Sequence, residues 1–158
     1  RVLLRPVRPE DEPMWLELLE SCPRESIPPG FGSRPGRAGQ EEAARHCRTD
    51  YDRELAIVAE LERNGVRKLL GVGRLTERPG AETAEYTVLV CDPWRDGGLG
   101  ETLTSFCERV AADRGIKRME ARSLDDWATR LLANRRWNVT PGGDGPATAW
   151  KDMEGGRG

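Results

Sequence analysis

The sequence has few of the residues that build metal centres or disulfide frameworks. It contains one histidine, His46, and four cysteines, none of which belongs to a Cys-x-x-Cys pair. Zinc and redox sites in small domains usually need several such ligands at short, regular spacings. The sequence therefore predicts no metal site, and we interpret all four cysteines as structural or incidental thiols: Cys22, Cys47, Cys91 and Cys107.

Long apolar runs and a strong charge of one sign are also missing. The longest apolar runs, such as 88–91, are far shorter than the roughly 20 residues that span a bilayer. The formal net charge is only −2, which gives no general attraction to nucleic acid or to anionic membranes. A content of 37% apolar and 33% charged residues is typical of a globular protein. We expect a cytoplasmic protein that binds neither nucleic acid nor membranes.

A chain of 158 residues has the usual length of one domain. We expect a single domain over residues 1–154 and a disordered tail over 155–158. The sequence begins at Arg1 without a methionine and enters a strand-like pattern at once. This start predicts a domain from a longer, multidomain chain.

Apolar periodicity and turn residues predict an alternation of strands and helices. Strands are expected at 2–7, 54–61, 68–75, 84–91 and 116–122, with a last hairpin of 137–139 and 147–150. Helices are expected after 9–13, at 40–48, at 99–114 and at 125–135, and a loop rich in proline and glycine at 22–39. The pair Asn64-Gly65 favours a tight hairpin. This order predicts an α+β (mixed α/β) fold.

The clearest helix, 99–114, follows the glycine turn 95–100. Its predicted apolar face consists of Leu99, Leu103, Phe106, Val110 and Ala111. Backbone N–H groups at a helix N-terminus are unpaired and suit an anion, and glycines let it approach closely. The turn lacks the ending of a P-loop and does not read Gly-x-Gly-x-x-Gly. From the residues alone, phosphate binding and a plain strand-to-helix turn stay equally open.

At this turn the sequence resembles the GNAT superfamily of acetyltransferases, whose cofactor loop reads Gln/Arg-x-x-Gly-x-Gly/Ala. Here it reads Arg95-Asp96-Gly97-Gly98-Leu99-Gly100. Other phrases resemble the bacterial protein lysine acetyltransferases, whose GNAT domain is often fused to an acyl-CoA-synthetase-like region. These phrases lie at 4–6, 50–54, 56–60 and 82–90, so the resemblance covers nearly the whole chain.

The resemblance implies a mostly antiparallel sheet flanked by helices and splayed after the strand that ends near Val90. It further implies acetyl-CoA as the cofactor, with its pantetheine amides bound by the backbone of Val88, Leu89 and Val90. The pyrophosphate would be held by N–H groups of the turn, formed by Arg95, Asp96, Gly97, Gly98, Leu99 and Gly100. Glycine at 98 and 100 would leave space for the phosphates. Asp125 stands where an asparagine usually contacts the cofactor.

The implied activity is acetyl transfer to an amine, most directly a protein lysine. Glu85 is the implied general base, because the lysine ammonium must lose a proton before it reacts. Two alternatives stay open: an acyl-CoA-binding sensor without efficient transfer, and a small-molecule amine acetyltransferase. We interpret Trp127 as a packing residue. The arginines near the last helix indicate a solvated face or a contact with the 3′-phosphate: Arg130, Arg135 and Arg136.

Overall fold

A computed structural model describes residues 2–23, 26–28, 44, 47, 53–78, 80 and 82–153. The strands are β1 (Val2–Pro6), β2 (Glu54–Arg63), β3 (Val66–Glu77), β4 (Thr83–Val90), β5 (Arg118–Leu124), β6 (Asn138–Thr140) and β7 (Ala147–Asp152). The helices are α1 (Glu12–Glu20), α2 (Leu99–Asp113) and α3 (Asp126–Asn134). Of the helix predicted at 40–48, the described residues Ala44 and Cys47 are helical. His46 and the predicted tail lie outside the described residues.

The seven strands form one sheet in the order β1-β2-β3-β4-β5-β7-β6. Every neighbouring pair is antiparallel except β4 and β5, which run parallel. Parallel strands need a long crossover connection, and α2 provides it. The predicted mixed, mostly antiparallel sheet with flanking helices is confirmed. The Asn64-Gly65 hairpin is confirmed too, since both residues have positive φ, 54° and 80°.

The sheet opens between β4 and β5. These strands pair only over Thr83–Glu85 and Arg118–Glu120, and the last pair joins Glu85 to Glu120. On its other side, β5 shifts register against β7 between Ala121 and Leu124. Such irregularities bend a strand and increase its twist. The bend in β5 and the short β4–β5 ladder leave a wedge-shaped opening at the end of the sheet that leads into α2 and α3.

The buried core lies between the sheet and its helices. The four cysteines are all buried, which agrees with their interpretation as structural thiols. Within the described ranges, no helix is long and apolar enough to cross a membrane. The same residues contain no group of three or more histidine, cysteine, aspartate or glutamate side chains that could hold a metal ion.

Candidate functional site

The opening between β4 and β5 contains a cavity of about 260 Å³. The two strands form its walls, while α3 and residues 26–28 contribute to its sides. Tyr86, Thr87 and Val88 line it from β4, and residues 121–124 line it from β5. Ser123, at the bend of β5, has a φ of 56°, an uncommon conformation for a residue other than glycine. The cavity thus begins where the regular pairing of the sheet ends.

The register of β4 determines which backbone groups face this cavity. The N–H of Cys91 donates to Leu70 O across 2.9 Å, and the β3–β4 ladder has no bulge. Hydrogen-bonded and non-hydrogen-bonded pairs alternate in an antiparallel ladder. The polar groups of Leu89 therefore bond to β3, whereas those of Val88 and Val90 are directed toward β5. Of the three predicted strand residues, Val88 and Val90 present backbone groups to the opening.

The glycine turn after β4 consists of a short 3-10 helix, Asp92–Gly97, and of Gly98, which precedes α2. Gly98 has a φ of 84°, in the left-handed region that favours glycine. The described residues provide no side-chain cap for α2, whose first backbone bond runs from Thr102 N–H to Gly98 O. The N–H groups of residues 99–101 precede that bond. Together with the helix dipole they can bind an anion.

Gly97 and Gly100 have different surroundings. A Cβ on Gly97 would meet nothing within 4 Å, so this side of the turn is open as far as the described residues extend. A Cβ on Gly100 would lie 2.8 Å from Cζ2 of Trp127 and 3.1 Å from Cδ2 of Leu131. Besides the predicted space for a phosphate, Gly100 thus has a packing reason that the sequence did not indicate. The absence of a side chain there lets α3 pack against the start of α2.

We expect Gly100→Ala to lower the free energy of unfolding by about 1–3 kcal/mol, the usual cost of overpacking, despite the better helix propensity of alanine. Urea denaturation measures this change. Gly97→Ala is the matched control in the same turn and is expected to stay within about 0.5 kcal/mol of the parent protein. Equal losses in both variants would contradict the packing role of Gly100.

Trp127 belongs to the site although the sequence pattern indicated only packing. Its indole N–H donates to Arg95 O across 3.2 Å, and its ring lies against Gly100. The guanidinium carbon of Arg95 stands 4.4 Å from the centre of this ring. Trp127 therefore attaches α3 to the glycine turn. No periodicity relates these positions in the sequence, so only the fold reveals their contact.

Arg95 and Asp125 interact with each other at the mouth of the opening. Arg95 Nη2 lies 3.4 Å from Asp125 Oδ2, and Arg95 Nε donates to Val90 O across 3.2 Å. Asp125 Oδ1 accepts the N–H of Ala128 at 2.8 Å and caps α3. The carboxylate thus has one oxygen for the helix and the other for Arg95. These contacts give Asp125 two partners within the chain.

A second cavity, of about 200 Å³, lies between the glycine turn and α3. Arg95, Asp96, Glu101 and Arg130 contribute charged side chains to it. The other two arginines predicted to share a face with Arg130 lie elsewhere. Arg135 forms an ion pair with Glu108, and Arg136 borders a different cavity, next to Trp150. Of that cluster, Arg130 is the residue beside the turn.

Glu85 stands at the closed end of the opening, in the last β4–β5 pair. Its Oε2 lies 3.0 Å from Arg122 Nη2 and 3.7 Å from Arg78 Nη2, and its side chain is 41% exposed. Side chains alternate along a strand, so Glu85 lies on the opposite face of β4 from Tyr86. The carboxylate is thus next to the cavity in sequence and in the sheet, and it is held by two arginines.

A model of the acetyltransferase (GNAT) family matches residues 13–135. The chain is similar to the GNAT domain of PAT from S. lividans, with a TM-score of 0.78 and 20% identity over 95% of this chain and 89% of that one. An N-acetyltransferase from Staphylococcus aureus Mu50 gives a TM-score of 0.73 and 17% identity over 98% and 99%. The paia N-acetyltransferase from Thermoplasma acidophilum, solved in complex with coenzyme A, gives 0.65 and 16% over 96% and 99%. All three share the fold.

Proposed function

This chain belongs to the acetyltransferase (GNAT) family, and we propose that it transfers the acetyl group of acetyl-CoA to the side-chain amine of a protein lysine. The family uses acetyl-CoA. One observation carries the proposal for this chain: the β4–β5 opening begins at the last paired residue of β4, Glu85, and extends toward the N-terminus of α2, for which the described residues provide no side-chain cap. An anion site, a strand edge and a proton acceptor thus follow one another along a single cleft.

The residues at this cleft fit coenzyme A. The N–H groups of residues 99–101 suit its pyrophosphate, and Gly97 adds an open side to the turn. The N–H and C=O groups of Val88 and Val90 suit the amides of an extended pantetheine arm, as a neighbouring strand would. When bound there, acetyl-CoA supplies the acetyl group as a thioester. We assign the remaining turn residues, including Asp96, to the pyrophosphate site.

The chemical work proposed for the chain itself is proton transfer and charge stabilisation. A lysine ammonium has a pKa near 10.4 and must lose its proton to become nucleophilic. Glu85 is proposed to accept that proton, directly or through water. The N–H of Val88, directed into the opening, is proposed to donate to the thioester oxygen as negative charge develops on it. The new N–C bond replaces the C–S bond, and the thiol leaves with a proton.

The proposed acceptor rests on the resemblance to bacterial protein lysine acetyltransferases. A second candidate function is an acyl-CoA-binding regulatory domain without efficient transfer. The ion pairs of Glu85 with Arg122 and Arg78 favour it, because a carboxylate paired with two guanidinium groups is less available to accept a proton. Binding of the cofactor is common to both candidates, whereas release of coenzyme A distinguishes them.

We expect acetyl-CoA to bind in isothermal titration calorimetry and free thiol to appear when a lysine-bearing protein is added. Mass spectrometry should then find a gain of one acetyl group on a lysine of the acceptor. The same assay with small amines tests the remaining substrate class. Binding without thiol release from any acceptor would favour the regulatory domain. Undetectable binding at millimolar acetyl-CoA would refute both candidates.

A further inference from the structure

The side chain of Arg95 lies between the two cavities of the cleft and lines both of them. It is only 16% exposed. Its contacts include the carbonyl of Val90, the ring of Trp127 and the second oxygen of Asp125. We call this set of four residues the Arg95 bridge. It connects the end of β4 with the first turn of α3 across the mouth of the opening.

The Arg95 bridge crosses the path that the proposed function requires. The polar groups of Val90 face the opening, and Arg95 hydrogen-bonds its carbonyl. A ligand that extends from the N-terminus of α2 to Val88 must pass this guanidinium. It must also approach the carboxylates of Asp96, Glu101 and Asp125. The guanidinium of Arg95, which lines this mouth as Arg130 does, is a positive charge that a pyrophosphate would attract.

We infer that Arg95 exchanges partners when coenzyme A binds. Its guanidinium releases the carboxylate of Asp125 and the carbonyl of Val90 and binds the pyrophosphate instead. This inference rests on the proposed function. In this role Asp125 is a positioning residue: it acts on the cofactor through Arg95 and competes with the pyrophosphate for the same guanidinium. The carbonyl of Val90 becomes available to pantetheine in the same movement. Arg95 thereby weakens the binding of the uncharged pantetheine arm and strengthens the binding of the charged pyrophosphate.

The two oxygens of Asp125 allow a clean test. An asparagine at this position keeps a side-chain oxygen for the N–H of Ala128, so the cap of α3 is retained. Its amide group carries no charge and offers Arg95 a donor in place of the second oxygen. We expect Asp125→Asn to bind coenzyme A and pantetheine more tightly, by roughly fivefold, the upper value for a partly exposed ion pair. Asp126→Asn, in the same helical turn, is the control and should leave both affinities unchanged.

Arg95→Ala separates the two halves of the ligand. Because the obstruction is removed, we expect pantetheine to bind several-fold more tightly than to the parent protein. Because the cation is removed as well, coenzyme A should bind several-fold more weakly. Chemical-shift titration with each ligand measures both constants, including weak ones, and thermal unfolding verifies that each variant is folded. Arg95→Gln repeats the test with a side chain of similar length and no charge.

The exchange would be supported if Arg95→Ala changes the affinities for pantetheine and coenzyme A in opposite directions and Asp125→Asn binds both ligands more tightly. Changes of the same sign for both ligands, or no tighter binding in Asp125→Asn, would overturn it while leaving the proposed function intact. If the parent protein and every variant fail to bind coenzyme A, the proposed function is refuted and the exchange with it.

Discussion

Glu85→Gln is expected to lower the rate of acetyl transfer to lysine roughly 10²- to 10⁴-fold near neutral pH, the usual contribution of a general base. Glutamine keeps the size of the side chain and its carbonyl oxygen but cannot accept the ammonium proton. Without the base, the rate should follow the fraction of neutral amine. It should therefore rise about tenfold per pH unit until it approaches the lysine pKa, near 10.4. Thiol release recorded from neutral to alkaline pH measures both effects.

Glu120→Gln is the matched control for this variant. Glu120 is the direct neighbour of Glu85 on β5, and its carboxylate lies 3.1 Å from Arg78. The substitution thus removes the same charge from the same group of side chains without touching the proposed base. We expect acetyl transfer by this variant to stay within about threefold of the parent rate. An unchanged rate and pH profile in Glu85→Gln would show that another group accepts the proton.

The strand and helix pattern of this chain could be predicted because its signals are local. The Asn64-Gly65 turn needs only two residues, and Gly115, with a φ of 82°, ends α2 as predicted. The wedge between β4 and β5 was predicted only from the family resemblance. It depends on a parallel pairing of strands about 35 residues apart in the sequence, and long-range pairing leaves no periodic signal. The contacts among Arg95, Asp125 and Trp127 are equally long-range, so the sequence pattern could not predict them either.

The buried face of α2 shows why the prediction was incomplete. Apolar spacing correctly predicted Leu103, but the structure also buries Thr104, Cys107 and Glu108. The hydroxyl of Thr104 is paired with that of Tyr86 at 2.8 Å, and the indole of Trp137 donates to Glu108 at 2.8 Å. These partners lie outside α2: Tyr86 belongs to β4, and Trp137 directly precedes β6. Polar residues can occupy a core face when such partners exist, and a hydropathy pattern cannot include them.

Burial also determines the chemistry of the thiol on this face. It raises the pKa of Cys107 to about 12, and the neighbouring carboxylate of Glu108 acts in the same direction. The thiol therefore stays protonated at physiological pH and is a poor nucleophile. The interpretation of this cysteine as structural follows from its surroundings as well as from its spacing. Cys107 is therefore no nucleophile for the proposed reaction.

A buried ion-pair network stabilises the edge of the sheet formed by β1 and β2. Arg5, on β1, is only 6% exposed. Its Nη1 and Nη2 each donate to Asp11 across 2.8 Å, and its Nε donates to Glu60, on β2, across 2.8 Å. Glu60 also accepts from Arg67 at 2.7 Å. One guanidinium thus pairs with two buried carboxylates and joins β1, β2 and the segment that leads into α1.

We expect Arg5→Met to lower the free energy of unfolding by about 3–5 kcal/mol, the usual cost of removing one partner from a buried ion pair. Methionine retains much of the apolar length of the side chain, so the loss reports mainly on the unpaired carboxylates. Urea denaturation near neutral pH measures it. Arg67→Met is the control, because the Arg67 side chain is 46% exposed and Glu60 keeps its bond to Arg5. Its cost should be at most about 1 kcal/mol.

The difference in unfolding free energy between the parent protein and Arg5→Met should depend on pH if it is electrostatic in origin. Hydrogen bonds from Arg5 lower the pKa of Glu60 below its ordinary value of 4.5. Burial raises the pKa of Asp11, but its bonds to Arg5 and Arg8 outweigh burial and bring the pKa below 3.8. The parent protein therefore has this stabilisation above those values and loses it as the pH falls through the lowered pKa values. In Arg5→Met, burial of both carboxylates acts without the guanidinium and favours their protonation. The difference in unfolding free energy should thus be largest near neutral pH and shrink below about pH 4. A constant difference over this range would attribute the loss to packing instead of charge.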